Sequence, residues 1–360
     1  MKQVIGWVLP LSLCWAGLGM AAAYSQTISE VSVLKQVSIS NMGVLPANYS
    51  GITYMGGDKY AVVDDKWQGG GISFLDIAMS RYDGKITGVS QRFVSDSGEL
   101  HTGKSRDCEG IAFCRETATL FVCGEAEQDI LEYNMSGEPT GRKMSVPESL
   151  GKENTYPNLG FESLTYNQHT RLFWTTTESV LKSDGQPVSA LSPNERNILR
   201  LQSFGTDLKP AGQYAYRMEA PGMKKKQTKM FVYGVSDMAA LDDGRLIVME
   251  REMCVMKRYI GSYCTVRLFI VKPMEYAEIE TDTDVRMLSA DRFLDKELLC
   301  EFTTHLNFRK MNLANYEGLC LGPKLDDGRL TILLLNDSQK AAGNALKRLK
   351  EYLKVIVVRL

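Results

Sequence analysis

The sequence has little net charge, little histidine and only one long apolar run, and each shortage removes a class of function. Its 42 basic and 43 acidic residues leave a formal charge of -1, and the densest basic stretch is Lys224, Lys225 and Lys226 with Lys229 nearby. This balance lacks the broad basic face that nucleic acid requires as a main partner. Only three histidines occur, His101, His169 and His305, in unrelated contexts. No H-E-x-x-H zinc helix, no histidine-acid-phosphatase signature and no G-x-S-x-G nucleophile elbow is present. The eight cysteines contain no C-x-x-C pair, which argues against a thiolate zinc or redox centre. Patterns of helical period are nearly missing too.

The apolar run lies at the N-terminus, from Val4 to Met20, behind Lys2 and ahead of Ala21, Ala22 and Ala23. That is the layout of a secretory signal peptide; the competing reading, a membrane anchor, is weakened by Pro10 and by a length that barely spans a bilayer. The expectation is a signal over residues 1–25, a single domain over 26–360, and an exported protein, periplasmic or secreted. No later segment reaches the length of a membrane span. Seven cysteines remain beyond the signal, an odd number that forbids full pairing. Cys254 and Cys264 flank a turn and are candidates for a cross-hairpin disulfide, whereas Cys108, Cys114, Cys123, Cys300 and Cys320 sit in apolar runs that suit buried thiols.

What the sequence has in quantity is short β-branched and aromatic runs between Gly, Asp and Asn turns. Five segments share one pattern, a Ser or Glu followed by small and aliphatic residues, then a turn and an apolar strand. They begin Ser50-Gly51-Ile52-Thr53, Glu109-Gly110-Ile111-Ala112, Glu162-Ser163-Leu164-Thr165, Ser236-Asp237-Met238-Ala239 and Glu317-Gly318-Leu319-Cys320. Self-similarity at such spacing, each repeat holding several strands, is the signature of a β-propeller. The all-β reading is five four-stranded blades, although the long third and fourth repeats leave room for a sixth. The fifth repeat ends one strand short, and Val31 to Ser38 supplies the missing outer strand, closing the ring without an open edge.

In a propeller the innermost strands line the axis, so equivalent positions form a ring around it. Here the ring is Ser50, Glu109, Glu162, Ser236 and Glu317. Carboxylates crowded on one axis repel unless protonated or neutralised, and a hard cation with oxygen ligands, Ca²⁺, answers that need. Turn capping or bonding of backbone amides between blades is the alternative role for the same acids. A second set of acids, Asp64, Glu125, Glu178, Glu250 and Asp337, closes the second strands at the channel mouth. Beside them lie Asp65, Lys66, Arg106, Asp107, Arg251 and Lys340. Acids that hold a cation or activate water, mixed with bases that hold an anion, suit phosphate-ester chemistry. The expected catalytic residues are Asp64, Asp237 and Glu250; the expected substrate-binding residues are Lys66, Arg106, Arg251 and Lys340.

The phrases Asp107-Cys108-Glu109-Gly110-Ile111-Ala112, Gly160-Phe161-Glu162-Ser163-Leu164-Thr165, Val235-Ser236-Asp237-Met238 and Asn315-Tyr316-Glu317-Gly318-Leu319 resemble the phytase-like family described as having esterase-like activity. The resemblance covers roughly residues 40 to 360. More distantly, the order Ser, Glu, Glu, Ser, Glu at 50, 109, 162, 236 and 317 is similar to the axial ring of the calcium-activated nucleotidases. That similarity implies Ca²⁺ ligation at those five positions. Two functions follow: a Ca²⁺-dependent hydrolase of phosphate esters or anhydrides acting as a monomer on a small anionic substrate, or a non-catalytic propeller whose Ca²⁺ locks the blades.

Overall fold

The computed structural model describes residues 28–66, 71–93, 106–192, 195–223, 228–344 and 347–360. The expected signal segment and Lys224–Lys226 lie outside them, as does His101. The described residues contain no α-helix, only three-residue 3₁₀ turns.

Five four-stranded antiparallel blades follow one another along the chain. The first is built from Tyr49–Gly56, Lys59–Asp64, Ile72–Met79 and Ile86–Phe93, the second from Cys108–Cys114, Thr119–Gly124, Asp129–Tyr133 and Pro139–Lys143. Phe161–Asn167, Leu172–Thr177, Ile198–Phe204 and Pro210–Arg217 form the third. The fourth uses Met230–Ala240, Leu246–Val255, Ser262–Val271 and Lys296–Leu306. In the fifth, Asn315–Leu321, Leu330–Asp337 and Tyr352–Arg359 are completed by Glu30–Val33 from the other end of the chain. Glu30 pairs Arg359 and Val33 pairs Ile356, so the ends of the chain meet in one sheet. There is no sixth blade among the described residues.

The blades are held by apolar layers between neighbours. One cluster fills each of the five gaps, and the residues of a single strand divide between two of them. Ile332 and Leu334 face the fourth blade, while Leu333 and Leu335 face the first. Alternate side chains of a strand point to opposite faces. A strand buried on both faces therefore reads as an unbroken apolar run, as Ile332–Leu335 does. Burying one such Leu or Ile contributes about 1.5–3 kcal/mol. The innermost strands pack directly on one another in order, and the last closes on the first.

The suggested disulfide between Cys254 and Cys264 is not formed, and both thiols are buried. Cys254 pairs Tyr263 and Cys264 pairs Met253, so the two side chains leave opposite faces of the hairpin. They join different apolar clusters.

Candidate functional site

A β-bulge occurs at the ring position of the innermost strand in all five blades. Regular pairing with the second strand breaks between Tyr49 and Gly51, Cys108 and Ile111, Phe161 and Ser163, Val235 and Asp237, and Tyr316 and Gly318. The residues skipped include Ser50, Glu109, Glu162, Ser236 and Glu317. A bulge leaves its extra residue out of the ladder and re-aims its side chain. The five residues picked out by repetition thus share one backbone distortion, and all are at least largely buried. The glycines that follow them serve close approach. A Cβ on Gly51 would lie 2.4 Å from the carbonyl oxygen of Glu109, and one on Gly110 the same distance from the Leu164 nitrogen.

Arg251, on the second strand of the fourth blade opposite Gly234, sets the charge on one side of this ring. Its guanidinium donates to Glu178 at 2.6 Å and to Glu317, stands 3.6 Å from Glu162, and donates to Asn315 Oδ1 at 3.2 Å. With the side chain 3% exposed, it serves as the internal counter-ion of three acids. Burial, opposed by Arg251, raises the pKa of Glu178 and of Glu317. Glu162 is raised well above the usual range by burial and then by Glu109.

Among the described residues, the other side of the ring has no such arginine. Burial first, and then Glu317, Asp65, Glu125 and Asp107, push Glu109 well above the ordinary carboxylate range. Carboxylate oxygens of Asp65, Asp107 and Glu109 lie within 4.8 Å of one another. Lys66 bridges two of these acids, at 2.6 Å to Asp65 and 2.8 Å to Asp107, and is more than half exposed. Burial raises Asp65 to about 6 and Glu125 to about 7. Asp337 is also raised, by burial and then by Glu317. The hydroxyls of Ser50 and Ser236 are buried without a hydrogen-bond partner. The clustered carboxylates, like the unsatisfied serine hydroxyls, are oxygen donors of the kind a hard divalent cation takes.

The remaining expected site residues are dispersed. Asp64 is buried at the mouth and accepts the Lys66 amide at 3.0 Å. Asp237 is buried between blades, accepting the amides of Met238 at 2.8 Å and Leu319 at 2.6 Å, and burial raises its pKa well above normal. This is the interblade backbone role weighed above for the ring, found one residue along the strand. Glu250 points away from the axis, because it neighbours Arg251 and side chains alternate; it binds Tyr216 and Lys296 at 2.7 Å each. Arg106 turns outward to Asp129 and to the Tyr133 hydroxyl, the latter at 2.7 Å. Lys340 is exposed, on a left-handed backbone whose amide donates to Ala47. Sequence reasoning named Asp65 and Asp107 only as neighbours of the mouth. Their positions, directly after Asp64 and two before Glu109, were the available signal.

The family model described as phytase-like, esterase-like activity of phytase, matches residues 47–339, a span that contains all five ring positions. The chain belongs to this family. No curated protein matches the sequence. Among solved structures, this phytase-like chain is similar to a streptogramin B lyase, at 10% identity over 91% of this chain and 98% of that one, with a TM-score of 0.35. It is also similar to the catalytic domain of a GH62 α-L-arabinofuranosidase from Coprinopsis cinerea, at 10% identity over 88% and 91% of the chains, with a TM-score of 0.43.

Proposed function

We propose that this phytase-like propeller is a Ca²⁺-dependent hydrolase of phosphate esters or anhydrides, acting at the acidic mouth of its axial channel. The observation that carries the reading is the convergence of Asp65, Asp107 and Glu109 within 4.8 Å, together with the buried, unpartnered hydroxyls of Ser50 and Ser236 in the innermost strands of the first and fourth blades. Those residues would hold Ca²⁺, and Glu162 and Glu317, already facing Arg251, would complete the negative field. Bound there, Ca²⁺ supplies charge to offset the phosphoryl oxygens. Lys66, exposed over the same acids, orients the anionic group. Glu125, raised to about 7 by burial, can hold or release a proton near neutrality, as general acid–base catalysis requires. Export to the periplasm or medium is part of this proposal and fits the N-terminal apolar run.

Arg251 favours a second reading. By neutralising Glu162, Glu178 and Glu317 it gives the ring a structural role independent of turnover, as a binding propeller would have. Hydrolysis of a nitrophenyl phosphate and of pyrophosphate, each with Ca²⁺ and with chelator, separates the two. The hydrolase reading expects chelator-sensitive turnover that Glu109→Gln lowers by roughly a hundredfold. Absence of turnover, with chelator still lowering the melting temperature, would establish the binding propeller instead.

A further inference from the structure

The fourth blade is longer than the rest. Its strands run 10 or 11 residues, against four to eight in the other blades. The excess lies on the mouth side. Met230 pairs Val255, and Val255 is four residues beyond Arg251, so at about 3.3 Å per residue the tip stands roughly 13 Å above the ring.

Three segments meet at that tip: Lys229-Met230, the turn Met256–Gly261, and Asn307–Met311. Together they carry Lys229, Lys257, Arg258, Arg309 and Lys310 and contain no acid. Among them stand Phe308, 86% exposed, with Met311 at 58% and Tyr259 at 51%. The presentation is built by local bonding. Asn307 Oδ1 accepts the amides of Arg309 at 2.9 Å and Lys310 at 2.8 Å, which folds a tight turn with Phe308 at its crest. Tyr259 sits in the left-handed region at φ 62, strained for an aromatic residue, and the Lys229 ammonium lies 4.4 Å from its ring centroid. The Gly261 amide donates to Leu306, tying the two turns together.

We propose that this tip docks on the surface of an anionic phospholipid bilayer. Lys229, Arg258, Arg309 and Lys310, on segments that contain no acid in a chain whose formal charge is -1, are complementary to a negative headgroup layer. Exposed aromatic and methionine side chains among those cations supply the apolar part that enters the interface. Attachment by the tip turns the mouth toward the headgroups. The acids stay farther from them than the screening length of about 8 Å at physiological salt, so they oppose docking only weakly.

The test is flotation of the full chain with vesicles of phosphatidylcholine alone and of phosphatidylcholine with an equal part of phosphatidylglycerol. The N-terminal apolar segment is the same in every variant, so the change in vesicle preference between wild type and variants reads the tip. The wild type is expected to bind the anionic vesicles roughly tenfold more tightly or better, and to lose that preference in about 1 M salt, where screening falls to about 3 Å. Arg309→Glu with Lys310→Glu, and separately Phe308→Ser with Met311→Ser, should each abolish it. All four residues are exposed, so melting temperatures should hold and certify folding. Equal binding to both vesicles, or a preference surviving both pairs of substitutions, overturns the proposal. So does oligomerisation or capture of an acidic protein that the same substitutions remove while vesicles go unbound.

Discussion

Arg251 decides how much of the axial ring is already balanced. A buried charge left without its partner costs about 3–5 kcal/mol, and Arg251 is shared among Glu162, Glu178 and Glu317. Arg251→Met keeps the volume and removes the charge. It is expected to lower the melting temperature by roughly 5–10 °C, measured by calorimetry, and added Ca²⁺ should recover part of the loss. An unchanged melting temperature would show that the acids are protonated and need no counter-ion. Repetition in the sequence picked out the five bulged positions, because Ser or Glu recurs before a small residue and an aliphatic one. It could not reveal the arginine's role, since Arg251 lies outside the repeat and its partners come from the third and fifth blades.

At the level of elements, the bulges and the closing strand matter most. Each bulge takes a residue of an innermost strand out of the ladder, and its sequence mark is only a small residue such as Gly51 or Gly110 where blades come into contact. The closing strand was readable, because the fifth repeat lacked a strand that Val31 to Ser38 could supply. A chain starting at Ile39 would leave Tyr352–Arg359 as an unpaired edge, with open N–H and C=O groups that recruit other chains. Its melting temperature should fall by about 5–10 °C, and light scattering should show concentration-dependent association. A monomer melting with the wild type would remove the closing strand from the account of stability. The exception to legible elements was the hairpin around Cys254 and Cys264. Spacing suggested a bridge, and the register put the thiols on opposite faces.

Across the whole molecule, the mouth acids couple folding to pH. Burial raises Asp65 to about 6, Glu125 to about 7, and Glu351, a buried acid that accepts the Ala47 amide and the Ser338 hydroxyl, also to about 7. A carboxyl whose folded pKa lies above its unfolded value binds more protons in the folded state, so stability falls as pH rises between the two. For Glu125 and Glu351 that window runs from about 4.5, their ordinary value, to about 7. In chelator, the protein should therefore melt several degrees higher at about pH 5 than at about pH 8. Ca²⁺ should stabilise it much more at the higher pH, because cation binding requires the carboxylates to shed their protons. A melting temperature that rises with pH in chelator would contradict the electrostatic picture of the mouth.

The sequence by itself determined the all-β class, a repeat of four-stranded blades that left five or six open, the closing strand and the five repeat positions that the structure bulges. Those follow from local periodicity and from repetition, which a chain displays without being folded. Only the tertiary structure decided which acids meet Arg251 and which gather beside Lys66. Asp65 comes to Asp107 and Glu109 from the neighbouring blade, Arg251 meets acids of the blades on either side of its own, and Glu250 turns outward because strand alternation opposes it to Arg251. Charge balance depends on distances of a few ångströms between residues far apart in the chain, and those distances exist only once the ring has closed.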